Sequence, residues 1–133
     1  MLLALWGEHG GLAAFHLNQD GFPEEMSRIV SSELAKANRV ILDSEHQLAF
    51  LPLEQTPAKI AIVDVADPKQ IVLAAPVLTI PGRDPQDDYV RGRTYCLAVR
   101  RGYLYVFVAE TSDGYVYRIQ VSRTTRHVEI GSA

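Results

Sequence analysis

The stretch that decides the fold is Ile60-Ala61-Ile62-Val63-Asp64-Val65, which runs directly into Ala66-Asp67-Pro68-Lys69. Its first part is rich in β-branched and small apolar residues, which are typical of a β-strand. Its second part contains a proline, which fixes φ and cannot donate a hydrogen bond to a neighbouring strand. The stretch therefore predicts a strand that ends at a turn.

Short apolar runs of the same kind continue on both sides of this strand, separated by glycine, proline and polar residues. The glycines of residues 7–11 permit positive φ angles and predict a hairpin. Residues 70–80 form a longer apolar stretch that Pro76 interrupts. The remaining runs predict strands over residues 2–6, 12–17, 39–43, 47–53, 58–65, 95–100, 103–110, 115–122 and 127–130.

Residues 23–37 are compatible with two kinds of secondary structure. Pro23 suits the first position of a helix, and the two glutamates that follow it favour the positive end of the helix dipole. A helix would place four apolar residues on one face, namely Met26, Ile29, Val30 and Leu34. Residues 28–32 also fit a strand, so the sequence leaves both alternatives open.

The predicted strands repeat in order when the chain is shifted by about 56 residues. The shift overlays the three strands of residues 38–66 on those of residues 94–122, with 60–65 falling on 116–121. Few letters match, so the order of strands and turns carries the observation. We therefore predict a single β-rich domain over residues 1–133 that contains two repeat units.

Residues 60–69 resemble the LVIVD repeat, in which a strand ends in Asp-Val-Ser-Asp-Pro. Residues 71–73, 95–99 and 102–106 are similar to the later strands of that repeat. The resemblance covers residues 39–122 and implies a β-propeller built of four-stranded blades.

The chain departs from the pattern of that family in three ways. Residues 23–37 fit a helix, residues 81–93 form an insertion, and about two and a half blades are too few to close a ring of the usual 4–8 blades. An unclosed array exposes strand edges, which favour association. Either the chain is a fragment of a larger propeller, or several copies complete one ring, or the repeat is illusory.

The predicted fold class is therefore mainly β, with residues 23–37 as a candidate helix. Its strands form partial β-propeller-like blades or, alternatively, a single α+β domain in which the helix covers one face of an antiparallel sheet.

Composition and charge exclude several classes of protein. Of 133 residues, 13 are basic and 16 are acidic, and the net charge of −3 argues against nucleic acid and anionic lipid as partners. The single cysteine, Cys96, cannot form a disulfide within the chain. No apolar run approaches the ~18 residues that span a bilayer, and residues 1–6 lack the basic start of a signal peptide. We therefore expect a cytoplasmic protein that makes no contact with membranes.

No motif of the sequence names a reaction. The 4 histidines lack the spacing of metal ligands, and no serine stands in Gly-x-Ser-x-Gly. Gly10-Gly11 is not followed by the Lys-Ser/Thr of a phosphate-binding loop. We therefore predict no catalytic residue, no metal and no cofactor.

The polar loop of residues 81–93 is the first candidate binding site. Asp87 and Asp88 could bind a hard cation or act as acid and base. Arg91 and Arg93, which follow Tyr89, could hold a carboxylate or phosphate through paired hydrogen bonds. The alternative is a solvated connector whose charges pair locally.

The tyrosines near the C-terminus are the second candidate. Tyr103, Tyr105 and Phe107 share one strand face by the period of two, and Tyr115 and Tyr117 share a face of the next strand. If a hairpin joins the strands, the two rows become neighbours that could stack on a sugar, a proline-rich peptide or a base. The alternative is ordinary sheet packing with the hydroxyls at the rim.

The sequence favours a non-enzymatic binding or assembly module whose recognition surface combines the 81–93 loop with Tyr103, Tyr105 and Tyr117. Its partner would be another protein or a second copy of the chain. One alternative is a small-ligand-binding protein or small enzyme with Asp87, Asp88 and Arg91 lining a pocket. Another is a self-assembling structural subunit that pairs its exposed strand edges.

Overall fold

The computed structural model describes residues 1–6, 9–55, 59–79, 93–109, 114–124 and 127–132. These residues form twelve strands and one short 3-10 helix, Ser32–Leu34. A mainly β fold is thus confirmed, and nine strands begin and end within two residues of the predicted ranges. The strands are β1 Leu2–Trp6, β2 Gly11–Leu17, β3 Pro23–Val30, β4 Ile41–Asp43, β5 Leu48–Leu53, β6 Lys59–Asp64, β7 Val72–Leu73, β8 Leu78–Thr79, β9 Arg93–Arg100, β10 Tyr103–Ala109, β11 Gly114–Thr124 and β12 His127–Ser132.

The strands form three antiparallel sheets in which consecutive strands pair. The first sheet has the order β1-β2-β3, and the third sheet has the order β12-β11-β10-β9. The middle sheet has the order β4-β5-β6-β7, and β8 also pairs with β6. Each sheet is therefore a meander. No helix in the parts of the chain that the structure describes has the length and hydropathy to span a bilayer.

The middle sheet is buried on both faces. All six residues of β5 and the central four of β6 are buried. Because successive side chains of a strand point to opposite faces, Leu48 and Phe50 belong to the core shared with the third sheet, and Ala49 and Leu51 to the core shared with the first sheet. The three sheets are therefore stacked.

Two apolar cores hold this stack together. The core between the middle and third sheets consists of Leu48, Phe50, Ile60, Ile62, Leu104, Val106, Ile119 and Val121. The core between the first and middle sheets consists of Leu12, Ala14, Leu34, Ala37, Ala49, Leu51, Leu53, Ala61, Val63, Val65 and Ile71. Burial of apolar surface contributes about 25 cal/mol per Å², so these cores stabilise the stack.

The helix considered for residues 23–37 is absent, and that interpretation is wrong. The single α+β domain, which needed this helix to cover the sheet, is wrong for the described residues as well. Pro23–Val30 is strand β3, which pairs with β2 along its length. These residues form a strand because pairing with β2 satisfies the backbone N–H and C=O groups at the edge of β2. The pairing also packs Ile29 against the core between the first and middle sheets. Proline is tolerated at the first position of a strand, so Pro23 gave a misleading signal.

The two predicted repeat units share the register of their first hairpin. Asp43 lies opposite Leu48, and Val99 lies opposite Leu104. The same shift that overlays Leu48 on Leu104 also overlays Asp43 on Val99. Both leucines belong to one core, so the middle and third sheets meet through corresponding faces. The relation to the LVIVD repeat stays a prediction.

The third strand of each unit does not follow that shift. Leu48 lies opposite Asp64, whereas Leu104 lies opposite Ile119 rather than Gln120. A change of register by one residue moves every side chain to the other face of its sheet. Ile60 is therefore fully buried, while its overlaid residue, Val116, is 55% exposed.

Candidate functional site

The outer face of the third sheet is the surface to which the predicted tyrosines belong. Residues directly opposite each other on paired strands share a face, and the register places Tyr103 between Arg100 and Gln120, and Tyr105 opposite Arg118. The inward positions of these strands fill the core, so this row faces away from the middle sheet. We call this surface the third-sheet face; its described side chains are Arg100, Tyr103, Tyr105, Val116, Arg118 and Gln120.

A two-residue turn sets this arrangement. Arg101 and Gly102 both have positive φ, at 51° and 77°, as a tight hairpin with the twist of its strands requires. The turn connects Arg100 directly to Tyr103, its partner across the hairpin. The Gly102 carbonyl also accepts a 2.8 Å hydrogen bond from the backbone N–H of Val121. The turn therefore holds three strands of the sheet in register.

Arg118 and Tyr103 form the central contact of the third-sheet face. The Cζ atom of Arg118 lies 4.5 Å from the centroid of the Tyr103 ring. This is a cation–π contact, in which the electron-rich face of the ring attracts the guanidinium. The two residues are diagonal neighbours on β10 and β11. The contact holds the planar guanidinium against the ring, and no carboxylate of the described residues forms an ion pair with it.

The two predicted rows of tyrosines do not share a face. Tyr117 lies opposite Val106, in the positions of β11 that alternate with Arg118. The backbone therefore assigns Tyr117 to the row of Ile119 and Val121, and the structure describes only the backbone of Tyr117. The neighbour of Tyr105 across the hairpin is Arg118 instead.

The sequence contains a signal for this arrangement in its aliphatic residues. Leu104 and Val106 alternate with Tyr103 and Tyr105, and Ile119 and Val121 alternate with Arg118 and Gln120. If the aliphatic positions of both strands fill one core, the tyrosines must share the other face with Arg118. The prediction that the tyrosines of the two strands lie side by side did not take this constraint into account.

No described contact joins the predicted residues of the 81–93 loop to the third-sheet face. Asp87, Asp88, Tyr89 and Arg91 lie outside the described residues. Arg93 begins β9, where its backbone pairs with that of Ala109 at the far end of the hairpin from Tyr103. The structure describes only the backbone of Arg93.

The outer face of the first sheet is a second surface with exposed side chains, although Ala13 at its centre is fully buried. The strand register identifies the residues of this face, because it places Leu2 opposite Phe15 and Gly11 opposite Val30. At its β3 edge, Arg28 forms a 2.7 Å ion pair with Glu25. The hydrogen bond and the charge of Glu25 raise the pKa of the exposed Arg28 guanidinium. We call this surface the first-sheet face; its described side chains are Leu2, Ala4, Ala13, Phe15, Leu17, Glu25, Arg28 and Val30.

A shallow depression of about 460 Å³ lies beside the 3-10 helix. Glu33 and Lys59 bring opposite charges to it, and no predicted site residue is among its lining side chains, which are Ser32, Glu33, Gln55, Lys59, Pro76 and Val77. The described residues contain no group of three His, Cys, Asp or Glu side chains placed to hold a metal ion.

Comparison of the chain with protein-family models, with curated proteins and with solved structures found no match.

Proposed function

We propose that the protein is a non-enzymatic, cytoplasmic binding and assembly module that recognises an acidic protein surface through its third-sheet face. In this proposal the stacked meanders, which have three to five strands each, are blade-like repeat units that act as a rigid scaffold. The contact between Arg118 and Tyr103 is the observation that carries the proposal. The other observations concern the composition of the surface, its charge and its position in the stack.

The composition of the third-sheet face resembles that of protein interfaces. Tyrosine and arginine are enriched where proteins bind one another, because they combine large contact areas with hydrogen-bonding ends. Tyr103 and Tyr105 are half-buried in the sheet and stand beside the exposed Arg118. Val116, 55% exposed, extends the surface with an apolar side chain.

The charge of the third-sheet face favours an acidic partner. Arg100 and Arg118 are exposed, and neither forms an ion pair with a carboxylate of the described residues. A planar guanidinium matches a carboxylate through two parallel hydrogen bonds. A partner that presents Asp or Glu beside apolar groups would therefore complement both the arginines and the tyrosines.

The position of this surface in the stack favours another β-sheet as its cover. The shift that overlays Leu48 on Leu104 also overlays Ala49 on Tyr105. Ala49 lies on the face of the middle sheet that the first sheet covers. Tyr105 therefore lies on the face of the third sheet that corresponds to this covered face of the middle sheet. Among the described residues, no sheet covers the face that carries Tyr105.

The test is an NMR titration of the isotope-labelled chain with an oligoglutamate peptide at low salt, because salt screens exposed charges. We expect the largest shifts at the amides of Tyr103, Tyr105 and Arg118. Substitution Arg118→Ala should weaken binding roughly tenfold, which corresponds to about 1.4 kcal/mol. The matched control Lys69→Ala removes an exposed cation in the turn between β6 and β7 and should leave binding unchanged.

Two outcomes would overturn the proposal. One is a set of shifts spread evenly over the cations of the other sheets, which would indicate only general attraction between opposite charges. The other is tighter binding of an oligothymidylate to the same residues, which would identify the aromatic and basic face as a platform for single-stranded nucleic acid.

A further inference from the structure

We infer that the free edge of strand β1 is a second interaction site, which binds an extended segment of a partner protein as an added β-strand. The bound segment lies above strand β4 and carries apolar side chains at alternate positions. The inference is independent of the proposed function, because the third-sheet face lies at the other end of the stack. It is argued from the backbone edge of β1, from the way the first sheet lies on the middle sheet and from the burial of three leucines.

Strand β1 has one paired edge and one free edge. Its residues, Leu2–Trp6, pair with β2, and no other described strand pairs with them. The N–H and C=O groups of alternate residues therefore point away from the sheet, where they can bind the backbone of an added strand. Strand β1 contains no proline and no charged side chain. The opposite edge strand, β3, begins with Pro23 and carries Glu25 and Arg28, which protect a sheet edge against pairing.

The first sheet covers only part of the middle sheet. At its outer edge, Ser27 of β3 is hydrogen-bonded to Pro68 and to Ile71, which lie between β6 and β7. The strand order then places β1 on the side of β5 and β4. The middle sheet is four strands wide, because β7 and β8 both pair with β6, whereas the first sheet has three strands. The first sheet therefore ends before it reaches β4. On the other face of the middle sheet, β9 lies against both β4 and β5.

The burial of Leu42 on β4 shows where the cover of the middle sheet ends. Leu42 lies opposite Ala49 of β5, and residues paired in this way share a face of the sheet. Ala49 is fully buried in the core between the first and middle sheets, whereas Leu42 is 47% exposed. A strand added beside β1 would cover Leu42 and continue the packing of the two sheets.

The inward leucines of β1 border the same gap. Leu3 and Leu5 pack against the core between the first and middle sheets, but they are only half-buried. Leu12, which faces the same core from the neighbouring strand β2, is fully buried. The difference shows that this core is open along β1. The gap therefore has an apolar floor and side, and a row of backbone hydrogen-bonding groups along one edge.

These features select a single extended strand as the occupant. The free edge requires a backbone with its own N–H and C=O groups, and the leucines require apolar side chains at every second position. A second copy could not pair its own β1 here. In such a symmetric pair, the β4 of each copy would lie under the β1 of the other, where β5 already lies. The two middle sheets would collide.

The test follows hydrogen exchange in the isotope-labelled full chain by NMR. The probe is the synthetic peptide Lys-Val-Thr-Val-Thr-Val-Lys, blocked at both ends, which places its valines on one face of a strand. In the free chain, alternate amides of Leu2–Trp6 should exchange rapidly, because they point to the free edge. Millimolar peptide should protect these amides.

Two methylated peptides test whether the backbone of the probe forms the contact. One carries N-methyl groups on its valines and the other on its threonines, so that each lacks the N–H donors of one edge only. Because a single edge of the bound strand pairs with β1, one of these peptides should lose binding and the other should keep it. Equal binding of both peptides, or loss of both, would contradict the inference.

A pair of protein variants tests the position above β4. Leu42→Lys places a charge under the apolar side of the bound strand and should weaken binding roughly tenfold or more. The matched control is Val72→Lys, because Val72 is 45% exposed and lies on β7, at the opposite edge of the middle sheet. Circular dichroism checks that both variants fold. If Leu42→Lys does not fold, Leu42→Ser replaces it.

Three further results would overturn the inference. The first is protection of all five amides of β1 in the free chain at low concentration, which would show that the edge is already paired. The second is protection that appears without peptide as the protein concentration rises, which would identify a second copy as the occupant. The third is no gain of protection with millimolar peptide. None of these results affects the oligoglutamate titration, which tests the proposed function on a separate surface.

Discussion

The hydroxyl of Ser27 on strand β3 donates a 2.7 Å hydrogen bond to the backbone carbonyl of Pro68, in the turn that follows β6. The same oxygen accepts a 3.3 Å hydrogen bond from the backbone N–H of Ile71. A hydroxyl can donate and accept at once, so one small side chain satisfies two polar groups of the turn. Through Ser27 the first sheet is joined to the middle sheet by specific hydrogen bonds as well as by apolar packing.

Replacing Ser27 by alanine should therefore destabilise the protein. The substitution leaves the Pro68 carbonyl and the Ile71 N–H without this partner in a half-buried site, which costs about 1–3 kcal/mol. The free energy of unfolding, measured by urea denaturation, reports the loss. Ser44→Ala, in an exposed turn, is the matched control and should change the free energy by less than about 0.5 kcal/mol. Equal midpoints for the two variants would contradict the role assigned to Ser27.

Two glycines with positive φ should respond differently to alanine. Gly10 has φ of 78°, and a Cβ atom there would lie 2.0 Å from the backbone oxygen of Ser31. Gly21 has φ of 83°, and a Cβ atom there would have no neighbour within 4 Å. Gly21→Ala carries only the conformational cost of about 1–2 kcal/mol. Gly10→Ala adds a collision between two backbone segments and should cost at least about 2 kcal/mol more.

Thermal unfolding of both glycine variants separates these two costs. The Gly10 variant should melt well below the Gly21 variant, which in turn should melt below the wild type. Similar melting temperatures for the two variants would show that the segment at Ser31 moves freely away from Gly10.

The positions of most strands could be predicted because their signals are local. Alternating apolar residues and turn-forming residues lie next to each other in the chain, as around Asp43 and Pro68. Strand β3 could not be predicted in this way, because what stabilises it is the unpaired edge of β2 and the core beneath Ile29. A choice between helix and strand that depends on a partner elsewhere in the chain is invisible in the local pattern.

The candidate site was predicted in part for a similar reason. Tyr103 and Tyr105 do share the outer face of β10, which follows from the period of two alone. The partner of Tyr105 depends on the register between β10 and β11, and a slip of one residue exchanges Tyr117 for Arg118. The face that a strand turns outward is therefore predictable only after the core of the sheet has been assigned.

The Asp43 carboxylate organises the turn that connects β4 and β5. It is 5% exposed, and its Oδ1 atom accepts hydrogen bonds from the backbone N–H groups of Glu45 and His46. Its Oδ2 atom lies 2.7 Å from Nδ1 of His46. Asp43→Ala should cost about 1–3 kcal/mol in the free energy of unfolding, because it removes the acceptor of these partly buried hydrogen bonds. Asp43→Asn keeps one acceptor oxygen and should cost less.

Asp67 provides the control for this prediction, because it makes the same kind of turn in solvent. Its Oδ1 atom accepts a 3.0 Å hydrogen bond from the backbone N–H of Lys69, and the residue is exposed. Asp67→Ala should therefore cost less than Asp43→Ala in the same urea titration. An equal or larger cost at Asp67 would show that burial of the Asp43 carboxylate adds nothing to the turn.

Phe50 is the largest fully buried side chain of the core between the middle and third sheets. Phe50→Ala should lower the free energy of unfolding by about 3–5 kcal/mol, because it removes apolar contacts and leaves a cavity. Phe22→Ala is the matched control, since Phe22 is 67% exposed, and should cost less than about 0.5 kcal/mol.

Hydrogen exchange adds a second measurement: amides of β10 should lose protection in the Phe50 variant and keep it in the Phe22 variant. If protection in β10 were unchanged by Phe50→Ala, the third sheet would be held by contacts other than this core, and the stacked arrangement on which the assembly proposal depends would be wrong.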